Sequence, residues 1–562
     1  MAVSAKKKPY FGLTGGWLTF WITVACATDM SLFGYDQGVF SGVVITQNFL
    51  EIHDLVGPTK TTALSTVTAI YDVGCFFGAI VAFTIGERLG RKKAIMVGTT
   101  IMAVGAILQA SSFSLAQMFV GRIILGSTDE LNVMGDLTDI GINTATAPIW
   151  QTETSQTKWR GKLVILGMMM NIAGFCLVNW INYGLSFAGG SVAWRFPLAF
   201  QFMFLFILWG TTPWLPESPR WLLAHGKEEE AMEVLSCLEA KPIDDPIVVT
   251  QRNEIDFSIQ YERQNAVRWR DLLKKDKKND TKTLRRICLG VGSQFMQQFG
   301  GINIMSYYMP TVLTKSVGLE EEMARLLSAC NAVSYLVFSG MAVLLIERMG
   351  RRGLMLLSTF AQFLCFLVIT VLLRYAESSP GGMGKVYGDA SVAFFFLYYG
   401  AFGIGMLGVP WLYPTEINSL PMRTKGAAAA TATDWCVFGK FWRLCWVFLT
   451  EYRITNFIVV EITPIGIQSI GWKFWIVWTV SNAVFLPVLY FFYPETANRS
   501  LEDLDAYYRT NPSLVVTGDP DAVCRKRPQK YVERENEEFG KTTVSKGMPV
   551  EHIDLIEGEK KS

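Results

Sequence analysis

Long apolar runs constrain this chain more than any other feature. A helix needs about 20 apolar residues to cross the hydrocarbon core of a bilayer. Scanning for runs of that length gives about twelve. They begin near Trp17, Thr62, Lys93, Phe113, Lys162 and Trp194, then near Arg286, Met323, Gly353, Ala390, Lys425 and Trp472. In lipid every backbone polar group needs a partner within the protein, so such runs fold as helices. Composition agrees: 18% of residues are charged, against about a quarter in soluble domains, and mean hydropathy is +0.27. The expected fold is an all-α membrane protein with lipid as its solvent.

Loop charge orients it. Lys and Arg concentrate at Glu87–Lys93, Lys158–Lys162, Glu347–Arg352 and Arg423–Lys425, and in the long stretch from Arg220 to Arg286. The alternate loops are nearly bare. Basic loops stay on the cytoplasmic side, so both termini and the central loop are expected in the cytoplasm. The N-terminal run lacks a small-residue cleavage site and reads as a retained helix. Residues 1–215 and 285–493 are then two membrane bundles. Residues 216–284 form a charged helical linker between them, and 494–562 form a polar tail expected to be largely disordered, above all after about Pro512.

Other function classes find little support. The three histidines, His53, His225 and His552, lie outside the apolar spans. The ten cysteines show neither metal nor disulfide spacing. No phosphate loop or nucleophile–base pair is visible. No enzyme, cofactor, metal or nucleic-acid partner is expected.

An internal repeat fixes the architecture. Glu87-Arg88-Leu89-Gly90-Arg91 recurs as Glu347-Arg348-Met349-Gly350-Arg351. Glu153 and Arg160 recur as Glu416 and Arg423, and Pro216-Glu217-Ser218 recurs as Pro494-Glu495-Thr496. The matches keep their order. They imply two parallel six-helix halves, 12 transmembrane helices in all, with a cargo site between the halves near the midplane. Charge clusters at helix ends can set topology. They can also act as gates, through pairs that span the two halves, hold the outward-open state and break as the inner side opens. The candidate gating charges are Arg88, Arg91, Glu153, Arg160, Glu217, Arg348, Arg351, Glu416, Arg423 and Glu495.

These motifs, with Gly34-Tyr35-Asp36-Gln37-Gly38, Gly121-Arg122, Pro216-Glu217-Ser218-Pro219-Arg220 and Gln297-Gln298-Phe299-Gly300-Gly301-Ile302-Asn303, resemble the sugar porter family of the major facilitator superfamily. The resemblance runs from about Trp17 to about Leu504, and is nearest to fungal hexose, pentose or polyol permeases of the plasma membrane. It implies a multi-pass transporter that carries a sugar or polyol by alternating access, with protons as co-substrate. A facilitative uniporter and a transport-inactive sugar receptor are the alternatives.

The resemblance also points to site residues, and their chemistry fits. An ionised carboxylate inside a span is costly unless paired or protonated. Asp36 in the first span, with Arg122 in the fourth, is the expected proton-coupling pair, and a structural ion pair is the competing reading. Asp72 is a second intramembrane acid. Amides both donate and accept, which suits sugar hydroxyls. Gln297, Gln298 and Asn303 are the expected contacts, brought inward by a break at Gly300-Gly301. Asn331 and Trp411 match further contact positions, and Tyr307 and Tyr308 an outer gate. Two positions depart from the family. Met168 stands where many hexose porters have a glutamine, with Asn171 one turn on as a substitute, and Asp434 stands at another glutamine position.

Two segments look foreign. Residues 127–140 put Asp129, Glu130, Asp136 and Asp139 into the fourth span, and residues 436–455 put Lys440, Arg443, Glu451 and Arg453 into the eleventh. Arg160 to Trp194 is 34 positions, whereas Arg423 to Trp472 is 49. Joining Gly126 to Gly141, and Trp435 to Asn456, restores ordinary helices, which suggests translated introns.

Overall fold

The computed structural model describes residues 9–133, 146–155, 157–264, 281–379, 382–419, 455–499 and 501–531, and the single positions 422, 426, 430 and 533. Residues 134–140 of the first foreign segment and 436–454 of the second therefore lie outside the described residues, as do Asp434 and Arg423.

The spans follow one another as the apolar runs predict. Span 1 is Gly16–Val43, span 2 Thr61–Leu89 and span 3 Arg91–Ala110. Span 4 begins as Leu115–Val133 and resumes as Thr146–Thr154. Span 5 is Thr157–Ser186 and span 6 Val192–Thr211. Span 7 runs from Thr283 to Val312 in pieces described below. Spans 8 and 9 are the two arms of Glu321–Ser378, which turns at Gly350. Span 10 comprises Gly382–Ala401 and Val409–Ile417, joined by the wide turn Phe402–Met406. Span 11 includes Thr455–Ile470, and span 12 is Phe474–Phe492. Among the described residues, five stretches are long and apolar enough to cross a membrane by a strict criterion, Glu321–Ser378 being the longest. Other spans dilute their apolar content with buried polar groups, such as Asp29 and Asp36 in span 1.

The repeat is a repeat of contacts. Gly90 and Gly350 both turn with positive φ, 80° and 76°, a region that side chains other than glycine rarely occupy. Each turn starts a new helix whose first N–H groups face a carboxylate. Arg91 N donates to Glu217 Oε1 at 3.0 Å, and Lys92 N to Glu217 Oε2 at 3.2 Å. In the second half Arg351 N donates to Glu495 Oε1 at 2.8 Å, and Arg352 N to Glu495 Oε2 at 3.2 Å. The positive end of a helix favours an anion there. A Cβ on either glycine would run into that carboxylate.

The linker is helical, as expected, over Pro219–Ala224, Glu228–Glu239 and Pro246–Gln264. Ser218 caps the first helix by accepting from Trp221 N. Ala231, Val234, Leu235 and Leu238 recur at helical spacing and are buried. Three of them, Ala231, Val234 and Leu238, pack with Leu18, Ile22 and Trp150 of the first bundle.

The tail corrects the sequence reading. Far from being disordered after Pro512, it is folded to Tyr531. Helices Leu501–Arg509 and Pro520–Val523 lie against the second bundle. Arg285 donates to the carbonyls of Pro512 and Ser513 at 3.0 and 2.8 Å, and Val516 N donates to Phe491 O at 2.8 Å. Arg286 pairs with Asp505 and donates to the Ile417 carbonyl. Val516 and Ala522 are wholly buried. Average polarity concealed a few well-spaced apolar residues, the carbonyls that Arg285 holds and the carboxylate that Arg286 holds.

Candidate functional site

Span 7 carries the centre of the site. The expected break at Gly300-Gly301 is present as a wide turn over Gln298–Ile302, with Gly301 at φ 96°. Loosened turns of this kind free backbone carbonyls, and they occur often at functional sites. The Gly300 carbonyl is satisfied from outside the helix, by Tyr398 Oη at 2.9 Å and Asn482 Nδ2 at 3.3 Å. Across the break Asn303 Nδ2 donates to Gln298 Oε1, so these two half-buried amides converge on one side. Gln297 does different work: its Nε2 donates to the carbonyls of Met406 and Leu407 at 2.7 and 3.0 Å, in and beside the wide turn of span 10. It ties spans 7 and 10 together, the kind of interhelical contact that membrane amides often supply.

Other amides stand ready but unused. Asn331 in span 8 is buried with neither Oδ1 nor Nδ2 hydrogen-bonded, and Asn171 in span 5 is buried with Nδ2 unpartnered. The sequence reading missed Gln294, one turn before Gln297, whose two polar atoms are also buried and unpartnered. Each of these amides can donate to and accept from a hydroxyl group. Trp411 lies half-buried in span 10 just after its break, as the kink at Gly408-Val409-Pro410 predicts.

Asp36, Asp72 and Arg122 are all buried within the first half. Asp36 is buried and accepts from Gln201 Nε2 at 3.1 Å. Arg122 donates from Nη2 to the Thr68 carbonyl at 2.8 Å, and its guanidinium lies 3.8 Å from the centre of the Phe40 ring. Its Nε and Nη1 make no hydrogen bond. In this conformation the Asp36–Arg122 pair expected from the sequence is not hydrogen-bonded. Asp72 is buried in span 2. Tyr307 of the opposite half lies within electrostatic range of Asp72, Arg122 and Asp36. Tyr307 and Tyr308 are both buried, and Arg122 and Asp72 lie within electrostatic range of Tyr308 as well.

The rim charges pair, but within each half. Arg91 Nε meets Glu153 Oε2 at 3.2 Å, and Arg351 Nη2 meets Glu416 Oε1 at 2.7 Å. Among the described residues no such pair joins the halves at this end, contrary to the expectation of pairs spanning them. Burial pushes the Glu217 carboxyl above its ordinary value, opposed by hydrogen bonds from Ser218 and Lys92 and by the Arg91 charge. Arg348 is exposed. The side chains of Arg88 and Arg160 lie outside the described residues.

The halves instead join at the opposite end. Ser65 Oγ and Thr66 Oγ1 donate to Glu461 Oε1 at 3.2 and 2.9 Å. Arg325 donates to the Gly42 carbonyl and to Thr46 Oγ1, both at 3.1 Å. Gln468 Nε2 donates to the Pro58 carbonyl at 3.1 Å. None of these was anticipated, although Arg325 and Glu461 are charges in otherwise apolar spans and could have been flagged on that ground.

Known proteins share this sequence pattern and fold. The family described as "Sugar (and other) transporter" matches residues 21–508. The MFS-type transporter oryC of Aspergillus oryzae is 76% identical over 543 residues, covering 97% of this chain and 95% of the relative. Sugar transporter STL1 of Saccharomyces cerevisiae is 32% identical over 509 residues, covering 89% and 83%. The fold superposes on the proton:xylose symporter XylE from E. coli, bound to 6-bromo-6-deoxy-D-glucose, with a TM-score of 0.64 at 22% identity, covering 87% of this chain and 99% of that one.

Proposed function

Because the chain belongs to the sugar transporter family of the major facilitator superfamily, we propose that it carries a sugar or polyol through the membrane by alternating access, in symport with protons. The observation that carries the cargo class is the amide set: Gln298 and Asn303 converging at the span-7 break, with Gln294, Asn331 and Asn171 buried and unsatisfied. A sugar presents hydroxyls that would satisfy such groups, and Trp411 offers an indole face for the apolar side of the ring. The basic loops support cytoplasmic termini, in a protein of the plasma membrane. On that orientation the end latched by Glu461 and Arg325 is the extracellular one.

Proton coupling rests on Asp36, Asp72 and Arg122 lying within electrostatic range of Tyr307, which is in the same helix as the amide site. Cargo binding that shifts span 7 changes the surroundings of these acids. Uniport is the second reading, favoured by one specific contact: Gln201 donates to Asp36 Oδ1, a bond the carboxylate accepts without a proton. Full-length chain in yeast lacking its own sugar uptake decides. Labelled D-xylose, D-glucose and glycerol are offered with and without an uncoupler. Entry abolished by Q298A together with N303A supports the site. Entry that ignores both the uncoupler and D36N removes symport.

A further inference from the structure

Span 1 holds a second buried acid that the reading above leaves unused. Asp29 is 7% exposed. Among the described residues it makes no hydrogen bond or ion pair, and its one electrostatic neighbour is the Cys26 thiol. It precedes Asp36 by two helical turns, roughly 10 Å along the axis. At this spacing Ile22, Cys26, Asp29, Phe33, Asp36 and Phe40 form one stripe. The stripe faces span 4 at both ends: Cys26 Sγ donates to the Ala147 carbonyl at 3.2 Å, and Arg122 lies over Phe40. Asp29 is thus on the same face as Asp36, displaced toward the basic-loop end.

A lone carboxylate inside a span is costly, and such residues mark ion or proton paths. Among the described residues, neighbouring elements do not neutralise this one. Span 5 presents only uncharged residues from Leu163 to Asn171. Glu153, on the second stretch of span 4, is engaged by Arg91. Packing alone gives no reason for an acid here.

We propose that Asp29 is the exit station for the coupling proton: protonated Asp36 passes its proton through water to the Asp29 carboxylate, which gives it to water at the basic-loop end. The O–H bond of Asp36 breaks as that of Asp29 forms, Asp36 returns to carboxylate, and the second transfer restores Asp29. Phe33, one turn from each acid, separates the two stations. The proposal rests on the symport reading.

Two measurements on the purified full-length chain test it. Infrared difference spectra between acidic and neutral pH report protonated carboxyl groups. D29N should remove one titrating carboxyl band and shift the titration of the band that D36N removes. D29E should restore two bands. In proteoliposomes, D29N should keep labelled D-xylose counterflow but lose accumulation driven by a proton gradient, with D29E recovering it. If D36N abolishes accumulation while D29N leaves it and the infrared titration unchanged, the exit station is refuted and symport stands. If neither variant affects accumulation, symport fails and the station with it. Should D-xylose not be carried, or D29N not fold, the infrared comparison of wild type with D29E decides: a single titrating carboxyl band in both overturns the proposal.

Discussion

Removing the Glu461 carboxylate should open the end of the molecule that the structure shows closed. Glu461 accepts from both Ser65 and Thr66, at 3.2 and 2.9 Å, and these bonds join spans 2 and 11 of opposite halves. A hydrogen bond to a charged group contributes about 1.5–3 kcal/mol. Glu461 is only half-buried, and in the opened state water replaces both donors. The lower end of that range, discounted for this exchange, gives about 2–3 kcal/mol for the pair. A differential of that size changes a two-state equilibrium by about 30- to 150-fold. A molecule resting at about 100:1 in favour of the latched state would then approach parity. E461A should show this directly. Spin labels on V56C and I470C, both at exposed positions near the latched end, report the separation of the halves by electron–electron double resonance. The exposed native thiols Cys288 and Cys524 are first replaced by serine. The wild type should give one short distance, E461A a second, longer population, and T66A an intermediate shift. A folded E461A protein with the wild-type distribution would refute the latch.

Three further outcomes follow from other contacts. G301A puts a Cβ at φ 96° facing Phe366, and should cost about 1–3 kcal/mol, read as a lower thermal midpoint together with loss of uptake. D505N removes the acidic partner of the fully buried Arg286 and should release the tail, seen as faster proteolysis within residues 509–531; an unchanged digestion pattern would assign tail docking to its apolar plugs alone. Transcript sequencing should yield reads that skip 127–140 and 436–455, and reads continuing in frame through both segments would end the intron explanation.

What the sequence determined by itself is whatever depends on periodicity and on the cost of charge in lipid. Apolar run length set the spans, and recurrence of the Gly-Arg and Pro-Glu motifs set the two matched halves. Two adjacent glycines beside amides located the break in span 7. These are local properties, and the bilayer makes them compulsory. Partner choice is not local. Whether Arg122 meets Asp36 or the Thr68 carbonyl depends on how spans 1, 2 and 4 pack, and so does the division of Gln297 and Gln298 between scaffold and site. The rim charges pair within each half because Glu153 and Glu416 come from the same bundle as the arginines that follow Gly90 and Gly350. The halves are latched through Ser65, Thr66, Arg325 and Glu461, hundreds of positions apart in the chain, and the tail is held by arginines at the start of span 7. Only the tertiary structure could decide these, because a hydrogen bond is fixed by distances of about 3 Å that no spacing along a chain encodes.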